Sequence, residues 1–375
     1  MKILFIAPSY KPAYTYGGTI VVIAMLAEQL ARLGADVSVF TTMADGASEL
    51  DVISGYEYLI DGVKVTYFKR ITGDHTHASP RLWLHLFREI KKYDVVHLHS
   101  WWNFLILGAA MVCKIKGIRP VFSPHGMLST YIIETNNRRK KAIMNGLLGK
   151  NLLKGSVLHV TAESELSESR KIIPSWKGQV IPNLVKLSEV FYPRKDNEIF
   201  TIGFLGRIDP KKGLDVLLKA LSKVSFDYKL QIAGEGRPMY VDELKNLIKE
   251  LGISSKVEWV GWKGEDTKFE FLSQLDLFVL TSHNENFAIV VIEALSVGTP
   301  VLISEEVGLA GYVKERELGW VTTLDIQRVV YDLYTLHSNV LKRKEICLQA
   351  SRKIGEDFDE TVLAKRYMRL YESTL

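Results

Sequence analysis

The 375-residue chain has little cysteine, only Cys113 and Cys347. They stand far apart and outside any ligand spacing, which argues against structural zinc and for a reducing compartment. Long hydrophobic runs are also missing: nowhere do about eighteen apolar residues follow one another, so no segment reads as a membrane-spanning helix. The opening MKILFIAPSY lacks the small-residue cleavage site of a secretion signal and reads as a first strand, so a cytoplasmic address is expected. Proline is scarce at 11 residues, and with 47% hydrophobic residues the chain is packed and globular. A third glycine is missing too. After Gly234 and Gly236 the dinucleotide fingerprint G-x-G-x-x-G would need one where Met239 stands, which disfavours a nicotinamide-dependent dehydrogenase.

Charge is unevenly divided. Residues 1–186 hold 23 Lys+Arg and 14 Asp+Glu, a balance of +9, whereas residues 187–375 hold 25 and 29, a balance of −4. The first half is therefore expected to meet something anionic, phospholipid or nucleic acid. Its basic feature is RRKKAIMNGLLGKNLLK, Arg138 to Lys154, with six Lys+Arg, no acid and apolar residues at roughly helical spacing. Such a helix can lie on an anionic membrane or serve as a packing helix with a solvated rim. It lacks the interleaved aromatics that stack on bases, so nucleic acid is not expected there.

Short β-branched runs alternate with helical patterns along the chain. Residues 3–7, 36–41, 63–68 and 94–98 read as strands, and 20–33 as a helix stopped by Gly34. A second series begins at Ile199, with strands over 199–205, 230–236, 257–261 and 277–280. This predicts two doubly wound parallel sheets, with ligands beyond the carboxyl ends of the strands. Three candidates lie there in the first half or beside it. Gly17 and Gly18 would let backbone approach a phosphate or sugar; His125, in PVFSPHG, follows a strand; His97 and His99 share one strand face, lining a site or packing, with no third metal ligand in view. In the second half Arg207, Lys211 and Lys212 fall between a strand end and a helix start, a place suited to neutralising phosphates. Trp262 reads as a packing residue or the wall of a base pocket. The D-x-D at Asp357 to Asp359 reads as a helix cap.

The stretch SHNENFAIVVIEALSVGTP, residues 282–300, carries Glu285 and Glu293 eight residues apart. If a helix begins at Glu285 the acids are about 12 Å apart, beyond the roughly 5 to 9.5 Å of glycosidase carboxylate pairs, which argues against a hydrolase. Between them the amides of a first turn, Asn286, Phe287, Ala288 and Ile289, would face an anion. An elongated nucleotide diphosphate sugar suits that layout.

The series GFLGRIDPKKGLDVLLKA, LQIAGEG, VEWVGW and DLFVLTSHNENFAIVVIEALSVGTPVL, with GGTIVVIAMLAEQLARLGADVSVFTT and SPHGML before it, resembles retaining glycosyltransferases of family 4 over nearly the whole chain. The likeness is to bacterial exopolysaccharide-biosynthesis enzymes. It implies the GT-B fold: an acceptor domain over 1–186, a nucleotide-sugar domain over 187–357, a cleft between them, and a helix over 358–375 crossing back. It also implies metal-independent transfer of a hexose, with UDP-glucose the expected donor, to a lipid-linked or saccharide acceptor, with no cofactor. By the resemblance Glu293 binds the ribose, Arg207 and Lys212 the diphosphate, and Glu285 with the backbone of residues 286–289 the sugar and its phosphate. Gly18 approaches the diphosphate and His125 the sugar near its anomeric centre. Two departures stand out. The commoner E-G-F-G is E-N-F-A here, and P-N-G-V-D is P-N-L-V-K at residues 182–186.

Overall fold

The computed structural model describes residues 1–135, 149–193 and 197–375. The chain forms two compact units, residues 1–184 with 360–375, and residues 185–359. Most of the basic stretch, residues 138–148, lies outside the described residues; its end is a short helix, Lys150–Leu153, with Leu152 and Leu153 buried. Among the described residues no helix is long and apolar enough to cross a membrane.

Unit 1 contains β1 (Lys2–Ile6), β2 (Asp36–Thr42), a hairpin of β3 (Ala44–Asp45) and β4 (Ser48–Glu49), β5 (Glu57–Ile60), β6 (Val63–Phe68), β7 (Val95–His99), β8 (Val121–Ser123), β9 (Val157–Val160) and β10 (Gly178–Val180). Eight of these make one sheet in the order β10-β9-β8-β7-β1-β2-β6-β5. All neighbours are parallel except β5 against β6. The central strands are apolar along their length because helices cover both faces, and Ile3, Leu4, Phe5 and Ile6 are fully buried. Helix α1 (Gly18–Arg32) starts two residues before the expected Ile20, with Gly17 as its N-cap. Helices α2 (Pro80–Glu89) and α3 (Phe104–Lys116) pack against each other and share one apolar cluster with strand β7. Strand order reverses between β1 and β7, so loops leaving those strands part and leave room for a ligand.

The last helix, Glu360–Glu372, belongs to unit 1. Arg366 donates to the carbonyl of Val180 at 2.9 Å, and Gln29 donates to Thr361 Oγ1 at 3.3 Å. The D-x-D is not a simple cap. Asp357 ends the preceding helix, where its carboxylate accepts from Tyr312 at 2.8 Å and from Arg316 Nη2 at 3.0 Å.

Unit 2 is a six-stranded, all-parallel sheet of β11 (Phe200–Leu205), β12 (Tyr228–Ala233), β13 (Val257–Gly261), β14 (Leu277–Leu280), β15 (Val301–Ser304) and β16 (Gly319–Thr322), in the order β13-β12-β11-β14-β15-β16. This is a Rossmann-like order with its switch point between β11 and β14. Two loops meet there. Asp209 caps a turn over Pro210–Lys212, the Lys211 carbonyl accepts from the His283 amide at 2.8 Å, and Thr281 Oγ1 donates to the Gly213 carbonyl at 2.8 Å. Gly213 has φ +63°, and a Cβ there would stand 1.8 Å from the Thr281 carbonyl oxygen. Only glycine lets the turn sit so close to the end of β14.

Gly213→Ala therefore has to displace the turn from β14. We expect a loss of about 3 kcal/mol or more in urea unfolding, whereas the same change at the open Gly73 should cost little.

Candidate active site

In unit 2 the sequence candidates converge on the switch point. Lys212 Nζ lies 2.8 Å from Glu285 Oε1, and both side chains are largely buried. Lys211 stands beside them: burial holds its ammonium below the ordinary lysine value, with Glu285 opposing and Lys212 and Arg207 adding to the effect. Arg207 is exposed on the loop leaving β11. Arg207, Lys211, Lys212 and Glu285 thus form one charged cluster, cationic on balance.

The helix does not begin at Glu285 as the spacing suggested. It runs over Ile289–Ser296. Glu285 sits in an extended loop whose amide donates to the Glu306 carbonyl at 3.0 Å and whose carbonyl accepts from the Gly308 amide at 2.8 Å. Of the four expected first-turn residues only Ile289 is helical. Asn286 lies in the loop, and Phe287 is a core residue whose ring meets Phe358 edge-on at 6.1 Å, so its side chain is not a ligand contact. Ala288 is the N-cap in left-handed conformation, φ +63° and ψ +71°. That conformation costs an L-residue roughly 1–2 kcal/mol. It explains why glycine suits this position and why the helix cannot extend backward to Glu285.

Glu293 is buried, and its partner was not evident in the sequence. Lys268 Nζ lies 2.7 Å from Glu293 Oε1 and 2.5 Å from Glu265 Oε1. Burial pushes the Glu293 carboxyl above the ordinary glutamate value while Lys268 pulls it back. For Lys268, burial works against the charge, but the two carboxylates outweigh it and the ammonium ends above the ordinary lysine value. No local pattern marks this pair, because Lys268 opens a separate helix, Lys268–Ser273. Trp262 is 64% exposed just after β13, so the packing reading fails.

In unit 1, Gly17 (φ +78°) and Gly18 are exposed at the bare N-terminus of α1. His97 and His99 do share one face of β7, with ring centroids 3.9 Å apart. They belong to a buried polar network whose directions can be worked out. The Ile181 carbonyl only accepts, so His159 Nε2–H donates to it at 3.0 Å. Neutral His159 then accepts at Nδ1 from Ser123 Oγ–H at 2.6 Å. Ser123 Oγ accepts from His97 Nε2–H at 2.6 Å, and His97 Nδ1 accepts from the Tyr371 hydroxyl at 2.9 Å. His125 joins the edge of the network, its Nε2 3.1 Å from His99 Nδ1, at a residue with φ +51°. Glu165 fixes that turn by accepting from the Gly126 amide at 2.6 Å and the Thr161 amide at 2.9 Å. Ser123, Glu165 and Tyr371 were all missed by sequence reasoning. A cavity of about 10 Å³ lined in part by His97, His99, His125 and His159 has room for about one water. Burial pushes all four histidines toward the neutral form, His125 to about 3 and His159 to about 4, with His97 and His99 well below the ordinary value. Among the described residues no group of three or more His, Cys, Asp or Glu is arranged to hold a metal ion.

Known protein families match both halves of the chain. Residues 16–189 match the profile of Glycosyltransferase Family 4, and residues 188–330 that of Glycosyl transferases group 1. An uncharacterised glycosyltransferase of Methanocaldococcus jannaschii is 26% identical over 99% of this chain and 98% of its own length. The chain is a glycosyltransferase of the GT-B type. Solved structures with the same fold include sucrose-phosphate synthase of Thermosynechococcus elongatus, with TM-score 0.77, 18% identity and coverage of 99% and 98% of the two chains. Another is HepE of Anabaena in complex with UDP-glucose, with TM-score 0.71, 20% identity and full coverage of both chains. The glycosyltransferase thus has two Rossmann-like α/β units, as the alternation of strands and helices implied. Nothing supports a dehydrogenase or a nucleic-acid-binding protein.

Two pH effects follow. A histidine whose folded pKa is depressed contributes stability above its unfolded value near 6.5 that is lost as pH falls. For the buried His97, His99 and His159 the loss should approach about 1.4 kcal/mol per pH unit for each that stays neutral, read by urea unfolding between pH 6.5 and 4. Lys268→Met acts with opposite sign. It raises the Glu293 pKa further above 4.5, so the variant's deficit should grow as pH rises from 4.5, and it should close again in Lys268→Arg.

Proposed function

We propose that this glycosyltransferase transfers a hexose from a nucleotide diphosphate sugar, with UDP-glucose as donor, to a lipid-linked or saccharide acceptor in bacterial polysaccharide assembly. The transfer retains configuration and needs no metal or other cofactor. The observation that carries the reading is a pair of lysine-held glutamates in unit 2, Lys212 with Glu285 at the switch point and Lys268 with Glu293 on the helix that follows β14. UDP-glucose bound to HepE of Anabaena, a protein of the same fold, supports the choice of donor. An enzyme of this kind would work in the cytoplasm, at the inner face of the cell membrane where its acceptor is lipid-linked.

The chemistry follows from where charge appears. As the anomeric carbon leaves its phosphate, the diphosphate gains negative charge and the carbon becomes oxocarbenium-like. Arg207 and Lys212, with the amide of Ile289 at the helix N-terminus, neutralise the leaving group. Donor phosphate competes with Glu285 for Lys212, which frees the Glu285 carboxylate to accept from the sugar hydroxyls. Glu293, with one oxygen held by Lys268, accepts from the ribose. Gly17 and Gly18 offer backbone to the diphosphate, and His125, half-buried and held neutral by desolvation, hydrogen-bonds the sugar near the anomeric centre. Trp262 lies against the base. The methyl of Ala288, where glycine is commoner in the family it resembles, narrows the sugar pocket.

Incubation with a panel of nucleotide sugars and mixed acceptors tests this. Nucleotide release should be greatest with UDP-glucose, and Lys212→Ala should lower turnover by about a hundredfold to a thousandfold. Release with no member of the panel would overturn the reading. Undiminished turnover in Lys212→Ala would remove that residue from the site.

A further inference from the structure

The four clustered histidines of unit 1 fall into two sets. His97 and His159 use both ring nitrogens. His97 Nε2–H donates to Ser123 and its Nδ1 accepts from Tyr371, while His159 Nε2–H donates to the Ile181 carbonyl and its Nδ1 accepts from Ser123. A carbonyl can only accept, so Ile181 fixes every proton along that row. The second set is His99 and His125, joined by a contact of 3.1 Å between His99 Nδ1 and His125 Nε2. On the far side of the His99 ring, Nε2 is buried and has no hydrogen-bond partner among the described residues.

His99 is held where it stands. The residue is 1% exposed at the end of β7, where it pairs with Ser123 of β8. Its ring lies against that of His97, with centroids 3.9 Å apart, and nearly parallel to that of His125, with centroids 5.4 Å apart and planes at 20°. His125 is held from its own side. Its φ of +51° sets the turn, and Glu165 accepts from the next amide, Gly126, at 2.6 Å.

Burial keeps both rings neutral, each with one N–H and one bare nitrogen. Two arrangements then satisfy the contact. If His125 Nε2–H donated, His99 would carry its own proton on Nε2, and a buried N–H would lack an acceptor. If His99 Nδ1–H donates, Nε2 is a bare lone pair and the orphan is an acceptor. Buried donors without a partner are the rarer case in folded proteins, which favours the second arrangement. It leaves the His125 proton on Nδ1, the nitrogen that His99 does not engage.

We infer that His99 is a positioning residue for the transfer: by donating from Nδ1 to His125 Nε2 it fixes the tautomer of His125, which presents Nδ1–H to a sugar oxygen. Which nitrogen of a histidine carries the proton is set by the bond that the other one makes. The sugar oxygen met by His125 therefore accepts. An oxygen without a hydrogen, as in the sugar ring or the glycosidic bond, can be met by this tautomer and not by the other. The inference rests on the contact between His125 and the sugar in the proposed function. The tautomer itself is read with no nucleotide sugar present, so its failure is distinguishable from failure of that reading.

The test is nitrogen NMR of the whole chain with isotope-labelled histidine, the His125 signals being assigned from their loss in His125→Gln. At neutral pH the wild type should show a protonated Nδ1 and a bare Nε2 at His125. His99→Asn keeps an N–H donor near the place of Nδ1 and should keep that tautomer, whereas His99→Leu should release it and let the proton return to Nε2. With the nucleotide sugar that gives most turnover, His99→Leu should lower kcat/KM by about tenfold, the worth of one hydrogen bond, and His99→Asn should restore most of the loss. A proton on Nε2 of His125 in the wild type would overturn the inference. So would an unchanged tautomer in His99→Leu at the wild-type urea midpoint, or an equal loss of kcat/KM in the two variants, which would make His99 a packing residue only.

Discussion

A carboxylate taken out of water must be paired, or it protonates or unfolds what surrounds it. The organisation of unit 2 follows from meeting that demand twice. Glu293 stands on the inner side of its helix, where burial raises its pKa and a lysine from another helix, Lys268, works against that rise. Glu285 is held by Lys212, from the turn after β11. For each cation to arrive, its own element must be seated correctly, which is why the turn over Pro210–Lys212 is tied to the end of β14 at Thr281 and His283. Electrostatic need and backbone packing therefore specify the same geometry. A ligand that brings its own charges or hydroxyls enters a site whose groups are already ordered.

Unit 1 meets a different demand. Its clustered histidines are pushed toward the neutral form, and a neutral group out of water still needs partners for its donors and acceptors. The sequence Tyr371 to His97 to Ser123 to His159 to Ile181 does this in one direction, crossing the last helix and strands β7, β8 and β9. The last helix is thereby joined to the sheet through a specific hydroxyl as well as through apolar contact, and its register along β7 is fixed.

Much of the fold was legible because parallel central strands are buried on both faces and so read as unbroken apolar runs, as Leu277–Leu280 does. Val63–Phe68 and the half-buried edge strand Val257–Gly261 also agree with expectation at both ends, marked by their β-branched and aromatic residues. The start of the helix after β14 was not legible. Glu285, Phe287 and Ala288 carry no stop signal, and what ends the helix there is a left-handed alanine, a conformation that propensity does not reveal. Lys268 escaped for another reason. Pairing across two helices leaves no periodic trace, whereas the glutamates stood out through their fixed interval. The histidines were visible as residues but not as a network, since the serine and tyrosine that join them come from other strands and from the far end of the chain.

Ala288 has one more consequence. Its methyl is a Cβ, carried directly by the backbone, so it has no rotamer to change. Because the loop before it is hydrogen-bonded to residues 306 and 308 and Phe287 beside it is locked against Phe358, the methyl cannot retreat by backbone motion without unseating the core. Whatever lies against it meets a rigid boundary. For the proposed donor, selection there would be by shape alone and at no entropic cost, unlike a wall built from a longer side chain that must first be ordered.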